Sequence, residues 1–122
     1  MKKIIFVYNA EEGFFNGLLD TLHKIISPRT YPCKLCAITY GNFSMYPEWK
    51  QFLESLHIEK EFYHRRDFYT KFSEWQTLKL PAVLYQDEKM EILISDDDFN
   101  SINSIDDLKK MIDNGLRKYD HL

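Results

Sequence analysis

The stretch that decides the fold is Leu80–Ser95, LPAVLYQDEKMEILIS. Two apolar segments, Ala82–Tyr85 and Met90–Ile94, are rich in β-branched and aromatic residues and flank a charged turn, DEK, at 87–89. Short apolar segments on either side of a polar turn are typical of a β-hairpin. The sequence therefore predicts two antiparallel strands in the last third of the chain.

A helix is predicted directly after this hairpin. Ser104 followed by Asp107 resembles a capping box, with Asp in place of the usual Glu. Apolar residues at helical spacing then form an inner stripe of Ile105, Leu108, Met111 and Ile112. The hairpin is thus expected to pack against a C-terminal helix.

Strands and helices alternate ahead of the hairpin. The patterns predict, in chain order, a buried strand at Ile4–Tyr8, a helix over 15–26, a short strand at Leu35–Tyr40, a helix from Pro47, a strand at Ile58–His64 and a short helix over 68–75. Such alternation favours a largely parallel sheet with helices on its faces, to which the hairpin adds antiparallel strands. We predict one α/β domain, a three-layer sandwich with a mixed sheet of four to five strands and helices on both faces.

Composition limits the classes of function. The chain has 122 residues, with 44% apolar and 16% aromatic residues and a net charge of -3. This fits a single domain with its own core, and it lacks the basic balance expected of a nucleic-acid groove. The apolar run in MKKIIFVYN is too short for a signal peptide, and no stretch reaches the roughly 18 apolar residues of a membrane span. We expect a cytoplasmic protein without nucleic-acid or membrane partners.

The segment LKLPAVLYQ carries a resemblance to thioredoxin-like proteins, because Pro81 directly precedes the first strand of the hairpin. In that fold a proline at this point is usually cis and borders the active site. The resemblance therefore implies a thioredoxin-like sandwich and identifies Pro81 as a candidate cis-proline and binding residue.

The whole chain also resembles a small family of uncharacterised bacterial proteins, through KIIFVYNA, YPCKLCAITYG and FYHR followed by Asp. Some members of that family carry a GTPase label. A P-loop requires GxxxxGK[ST], whose amides and lysine hold phosphates. The loop after the first predicted strand reads NAEEGFFNG and has no such lysine, so GTPase activity is not expected.

Both cysteines of the chain, Cys33 and Cys36, lie in the CxxC of YPCKLCAITYG. Thioredoxins carry this motif directly after the first strand, whereas here it follows the first predicted helix. If residues 33–36 were extended, their outer Cα atoms would stand about 10 Å apart, too far for a disulfide, which needs less than about 7 Å. Only a tight turn would bring the two sulfurs together.

Three interpretations of this motif remain open. The cysteines could be small buried hydrophobes. They could form a redox pair, with Cys33 as the attacking thiol and Cys36 as the resolving thiol, acting on a thiol substrate or protein partner. They could also be half of a metal site, but such a site needs four ligands, and the histidines form no paired motif: His23, His57, His64 and His121. No cofactor or metal is predicted.

Two further motifs bear charge. FYHRRDF places His64, Arg65 and Arg66 where a strand should end, which is where open α/β sheets bind ligands. The arginines could hold a carboxylate or phosphate and the histidine could act as acid or base. The alternative is a solvated turn in which Asp67 pairs with an arginine. SDDDF, at 95–99, is interpreted as a helix start or a solubilising segment rather than a cation site.

Overall fold

The computed structural model describes residues 2–10, 33–41 and 45–119. Within these residues, the regular elements in chain order are β1 (Lys3–Val7), α1 (Lys34–Thr39), α2 (Pro47–Ser55), β2 (Glu59–Tyr63), α3 (Arg65–Lys71), β3 (Ala82–Gln86), β4 (Met90–Ile94) and α4 (Ile105–Arg117). Two short 3-10 helices, Ser73–Trp75 and Asp98–Ser101, lie before β3 and after β4. The predicted helix over 15–26, together with His23 and His121, lies outside the described residues.

The described strands form one mixed sheet in the order β2-β1-β3-β4. β1 is parallel to β2, with Phe6 opposite Phe62, and antiparallel to β3, with Val7 opposite Ala82. β3 and β4 form the predicted antiparallel hairpin. The α/β class, the four strands and the hairpin therefore agree with the sequence-based prediction.

Helices cover both faces of this sheet. One core cluster contains Ile4 and Phe6 of β1 and Tyr8 directly after it, together with side chains of α1, α2 and α4. The alternate residues Ile5 and Val7 belong to a second cluster on the other face, with Phe68 of α3. Since successive side chains of a strand point to opposite faces, the continuous apolar run of β1 is explained by burial on both sides.

The start of α4 is capped largely as the sequence predicts. The Ser104 hydroxyl accepts a hydrogen bond from the Asp107 main-chain N–H at 3.1 Å. Asp107 Oδ2 in turn accepts a hydrogen bond from the main-chain N–H of Asn103 at 2.9 Å, and Asn103 is the residue before the N-cap. The helix then buries Leu108, Ile112 and Gly115.

The strand predicted at Leu35–Tyr40 is wrong, because this segment forms helix α1. Its buried residues, Leu35, Cys36 and Thr39, recur at helical spacing, and the Thr39 hydroxyl donates to the Leu35 carbonyl oxygen at 2.7 Å. A six-residue apolar run does not reveal its period, so sequence pattern alone does not separate a buried strand from a buried helix here.

Candidate functional site

The two cysteines form a disulfide, with their Cα atoms 5.2 Å apart. The extended geometry considered for residues 33–36 is therefore wrong. Cys33 is the N-cap of α1 and the chain turns into the helix at Lys34, which shortens the distance between the two residues. A helix rises about 1.5 Å per residue against about 3.3 Å in a strand, so the change from strand to helix makes the bond possible.

The sulfur of Cys33 accepts two main-chain hydrogen bonds. The N–H of Cys36 donates to Cys33 Sγ at 3.2 Å, and the N–H of Asn9, at the carboxyl end of β1, donates to it at 3.3 Å. Hydrogen bonds to a charged form favour that form. In the reduced protein these two donors would stabilise a thiolate at Cys33.

Both sulfur-bearing residues are buried. Cys33 and Cys36 each have 0% relative exposure and belong to the same core cluster as Tyr8 and Ala10. A thiol reacts with a second molecule only when that molecule reaches its sulfur. Direct access to the pair therefore requires a local opening of the structure.

The cysteine edge is the end of the sheet at which β1 and β2 finish and β3 begins, and Pro81 lies there together with the cysteine pair. The peptide bond between Leu80 and Pro81 is cis. Because Val7 pairs with Ala82 in antiparallel register, the residue before Ala82 and the residues after Val7 lie at one end of the sheet. The structure thus brings Pro81 to the edge at which Asn9 contacts Cys33.

The carboxyl end of β2 is joined to this edge by the main chain. The Tyr8 N–H donates to the Tyr63 carbonyl oxygen and the Arg65 N–H donates to the Ala10 carbonyl oxygen, both at 2.9 Å. These bonds continue the pairing of β1 and β2 beyond the strands. They bring the first residue of α3 beside Asn9, and Arg65 Nη1 donates to Asn9 Oδ1 at 3.2 Å.

The other two members of the FYHRRDF cluster point to different surroundings. His64 precedes α3, with its ring centroid 6.0 Å from that of Tyr8 and its Nδ1 atom 3.9 Å from Asp67 Oδ2. Arg66 and Arg65 line a groove of about 430 Å³ together with Tyr69, Thr70, Ser73 and Gln76. Both arginines thus line the groove, and Arg65 also contacts Asn9, the residue whose N–H bonds to Cys33.

Two residues that sequence reasoning did not single out belong to this edge, Asn9 and Tyr8. Asn9 contacts both Cys33 and Arg65. Tyr8 is 3% exposed and packs edge-to-face on Tyr40, with ring centroids 5.9 Å apart. Burial, and then its interactions with Tyr40, raise the pKa of the Tyr8 hydroxyl well above the usual value. The sequence feature that indicates them is their position at the carboxyl end of a buried strand, where open α/β sheets bind ligands.

The acidic SDDDF segment lies within the described residues and forms hydrogen bonds at the start of a 3-10 helix. The Ser95 N–H donates to Asp98 Oδ2 at 2.9 Å, and the Asp98 N–H donates to Ser95 Oγ at 3.1 Å. These reciprocal bonds stabilise the start of the 3-10 helix at Asp98–Ser101, in agreement with the helix start, the first of the two predicted roles. Among the described residues, no three His, Cys, Asp or Glu side chains are grouped as metal ligands.

A larger cavity, of about 850 Å³, lies at the opposite edge of the sheet, where β1 and β2 begin. Lys2, His57, Tyr85 and Arg117 are among the residues that line it. The cysteines, Pro81 and the FYHRRDF residues are not among them. The size of this cavity therefore does not bear on the cysteine chemistry.

Comparison with known proteins adds no relative to these observations. The chain matches no protein-family model, no curated protein and no solved structure. No helix in the described part of the chain combines the length and apolar character needed to cross a membrane.

Proposed function

We propose that this protein is a thioredoxin-like thiol-disulfide redox protein whose reversible couple is Cys33 and Cys36. One observation carries the proposal: the two cysteines are joined, and Cys33 Sγ accepts the N–H groups of Asn9 and Cys36. A sulfur with two main-chain donors is suited to exist as the thiolate, the form that exchanges disulfides.

The exchange transfers two electrons from the reduced pair to a partner disulfide. The Cys33 thiolate attacks one partner sulfur, and the other partner sulfur leaves as a thiolate that takes up a proton. The resulting mixed disulfide is then resolved when Cys36 loses its proton and attacks Cys33 Sγ, which releases the first partner sulfur as a second thiol. The partner is reduced to two thiols, and the Cys33–Cys36 disulfide is formed. The reverse sequence oxidises a dithiol partner.

The strand order and the sheet edge support the thioredoxin-like assignment. The sheet is mixed, with β1 parallel to β2 and antiparallel to β3, and the hairpin β3–β4 directly follows Pro81. Pro81 and the cysteine pair share one edge of that sheet. The CxxC occurs later in the chain than in thioredoxins, yet Cys33 contacts Asn9 at the end of β1. The proposal includes a cytoplasmic location, where a disulfide is usually catalytic or redox-sensing.

The burial of both cysteines favours a second candidate function. A disulfide with 0% exposure at each residue is protected from exchange in the closed structure. The second candidate is therefore a non-catalytic binding domain of the same fold, in which the cysteines serve the core. It differs from the first in predicting no exchange with external thiols while the protein remains folded.

Equilibration with glutathione tests the proposal. The protein is incubated over a series of reduced-to-oxidised glutathione ratios, trapped with an alkylating agent and weighed by mass spectrometry. We expect a reversible two-electron transition, with circular dichroism reporting a folded chain throughout. A pair that stays entirely oxidised or entirely reduced across the series overturns the redox function and supports the binding domain.

The two single cysteine variants provide a matched control. Cys36→Ser keeps the attacking thiol and removes the resolving one, so it should accumulate a mixed disulfide with oxidised glutathione. Cys33→Ser removes the attacking thiol, so it should accumulate much less under the same conditions. Equal accumulation in both variants contradicts the assignment of Cys33 as the attacking residue.

A further inference from the structure

Asn9 connects the sulfur of Cys33 to a charged side chain. Its main-chain N–H donates to Cys33 Sγ at 3.3 Å, and its side-chain Oδ1 accepts from Arg65 Nη1 at 3.2 Å. Cys33 is 24 residues and Arg65 is 56 residues from Asn9 in the sequence. The fold thus brings three separate segments together at this one residue.

A main-chain hydrogen bond places Arg65 beside Asn9. The N–H of Arg65 is bonded to the carbonyl oxygen of Ala10, the residue after Asn9, at 2.9 Å. The guanidinium group therefore starts from a fixed backbone position beside the Asn9 side chain. Because the guanidinium group is planar and always charged, it restrains the direction of the Asn9 amide and places a positive charge beside Asn9.

We propose that Arg65 is a positioning residue for the redox pair: it holds Asn9 so that the Asn9 N–H stays on Cys33 Sγ, and it thereby favours the Cys33 thiolate. This inference rests on the proposed redox function. It goes beyond that function by assigning the acidity of Cys33 to a residue in a different element.

Other titratable groups lie at the cysteine edge and also contribute to the electrostatic environment of Cys33. Lys34, between the cysteines, has its Nζ atom bound to Asn103 Oδ1 at 3.1 Å. Burial, and then its interactions with Tyr40, raise the pKa of Tyr8 well above the usual value, and the Tyr8 ring packs on those of Tyr40 and His64. The arginine is distinguished from these groups by its hydrogen bond to the residue whose N–H contacts the sulfur.

The thiolate of Cys33 can be measured directly. In a Cys36→Ala background Cys33 is the sole thiol of the chain, and its ionisation is followed by ultraviolet absorbance, which needs no reagent to reach the buried sulfur. Arg65→Gln removes the charge and the guanidinium fork. Arg66→Gln is the matched control, because it removes the same charge from the neighbouring residue, which lines the groove with Arg65.

We expect Arg65→Gln to raise the Cys33 pKa by about half a unit, which lowers the thiolate fraction roughly threefold below that pKa. Arg66→Gln should change it much less. Asn9→Ala keeps the N–H but removes Oδ1, so it should raise the pKa similarly. The double variant of Asn9 and Arg65 should show little further change, because the two residues act through one contact.

The outcomes separate this inference from the redox function. An unchanged Cys33 pKa in Arg65→Gln, or equal shifts in Arg65→Gln and Arg66→Gln, overturns the positioning role even if wild type exchanges with glutathione. A wild type that does not exchange overturns the redox function while the thiolate titration still measures the role of Arg65. If Arg65→Gln does not fold, Arg65→Lys and Asn9→Ala decide the question. A Cys33 pKa that in both variants equals the value in the Cys36→Ala background overturns the inference.

Discussion

Gly115 of α4 lies so close to Leu93 of β4 that a Cβ atom at position 115 would stand 2.7 Å from Leu93 Cδ1 and 2.9 Å from Leu93 Cγ. Replacing Gly by Ala within a helix normally stabilises it by about 1 kcal/mol. Here the added methyl group meets the branch point of a leucine, and overpacking of this kind costs about 1–3 kcal/mol. We predict that Gly115→Ala lowers the free energy of unfolding, measured in urea.

Two companion variants test the cause of that loss. Asn114→Ala, at the exposed neighbouring position, has no such contact and should leave stability equal or slightly higher. In a Leu93→Ala background the obstruction is gone, so Gly115→Ala should then stabilise the protein. A stabilising Gly115→Ala in the wild-type background contradicts the packing explanation.

The cap of α4 makes a second stability prediction. Ser104 Oγ accepts the N–H of Asp107 at 3.1 Å, and loss of such a cap costs about 1 kcal/mol. Ser104→Ala should therefore lower the free energy of unfolding by that amount. Ser73→Ala, at an exposed position with no side-chain cap bond in its 3-10 helix, should change stability by much less. Equal effects of the two substitutions contradict the assignment of the cap.

The sequence predicted the elements whose patterns are local and complete. The apolar run before Asn9 predicted the central strand, the segment after Pro81 predicted the hairpin, and Ser104 predicted the start of the last helix. Each of these signals depends on neighbouring residues only. The segment Leu35–Tyr40 failed because its apolar residues are too few to show a period, and its helix depends on an N-cap that is a cysteine sulfur.

The candidate site could be predicted only in part, for a different physical reason. Cys33, Pro81 and Arg65 were singled out by residue type, but nothing local indicates that they share an edge. That relation depends on the parallel pairing of β1 with β2 and the antiparallel pairing of β1 with β3. Asn9 has no chemical signature in the sequence, since its role is a main-chain N–H and a side-chain contact to a residue 56 positions away.

The disulfide makes a third prediction about stability. The bond between Cys33 and Cys36 closes a loop with a sequence separation of only 3. Because the stabilisation from a crosslink grows with the length of the closed loop, such a short loop contributes about 2 kcal/mol. We predict that the reduced protein stays folded and loses about that amount, measured by urea unfolding with and without dithiothreitol.

The double variant of Cys33→Ser and Cys36→Ser is the control for this measurement. It has no bond to reduce, so dithiothreitol should leave its unfolding curve unchanged. A wild type that unfolds completely on reduction contradicts the prediction, because a loop this short does not hold a domain together.

The last prediction concerns Tyr119, whose hydroxyl donates to Glu91 Oε2 at 2.6 Å while its ring stacks on Tyr85 with centroids 4.2 Å apart. The hydrogen bond to Glu91 is the main cause that raises the pKa of Tyr119 to about 12. A tyrosine in an unfolded chain has a pKa of about 10. The folded state therefore holds this proton more tightly, and the resulting stability is present below pH 10 and is lost as the pH rises towards 12.

We predict that wild type loses stability more steeply between about pH 10 and pH 12 than Tyr119→Phe, which has no phenol to ionise there. Glu91→Gln keeps a hydrogen-bond acceptor but removes the negative charge, so one tyrosine should ionise at lower pH in its absorbance titration. Tyr46→Phe removes an exposed tyrosine and should leave the ionisation of Tyr119 unchanged. If Glu91→Gln leaves the titration unchanged, the carboxylate does not hold the Tyr119 proton, and the link between the end of α4 and β4 makes no contribution to alkaline stability.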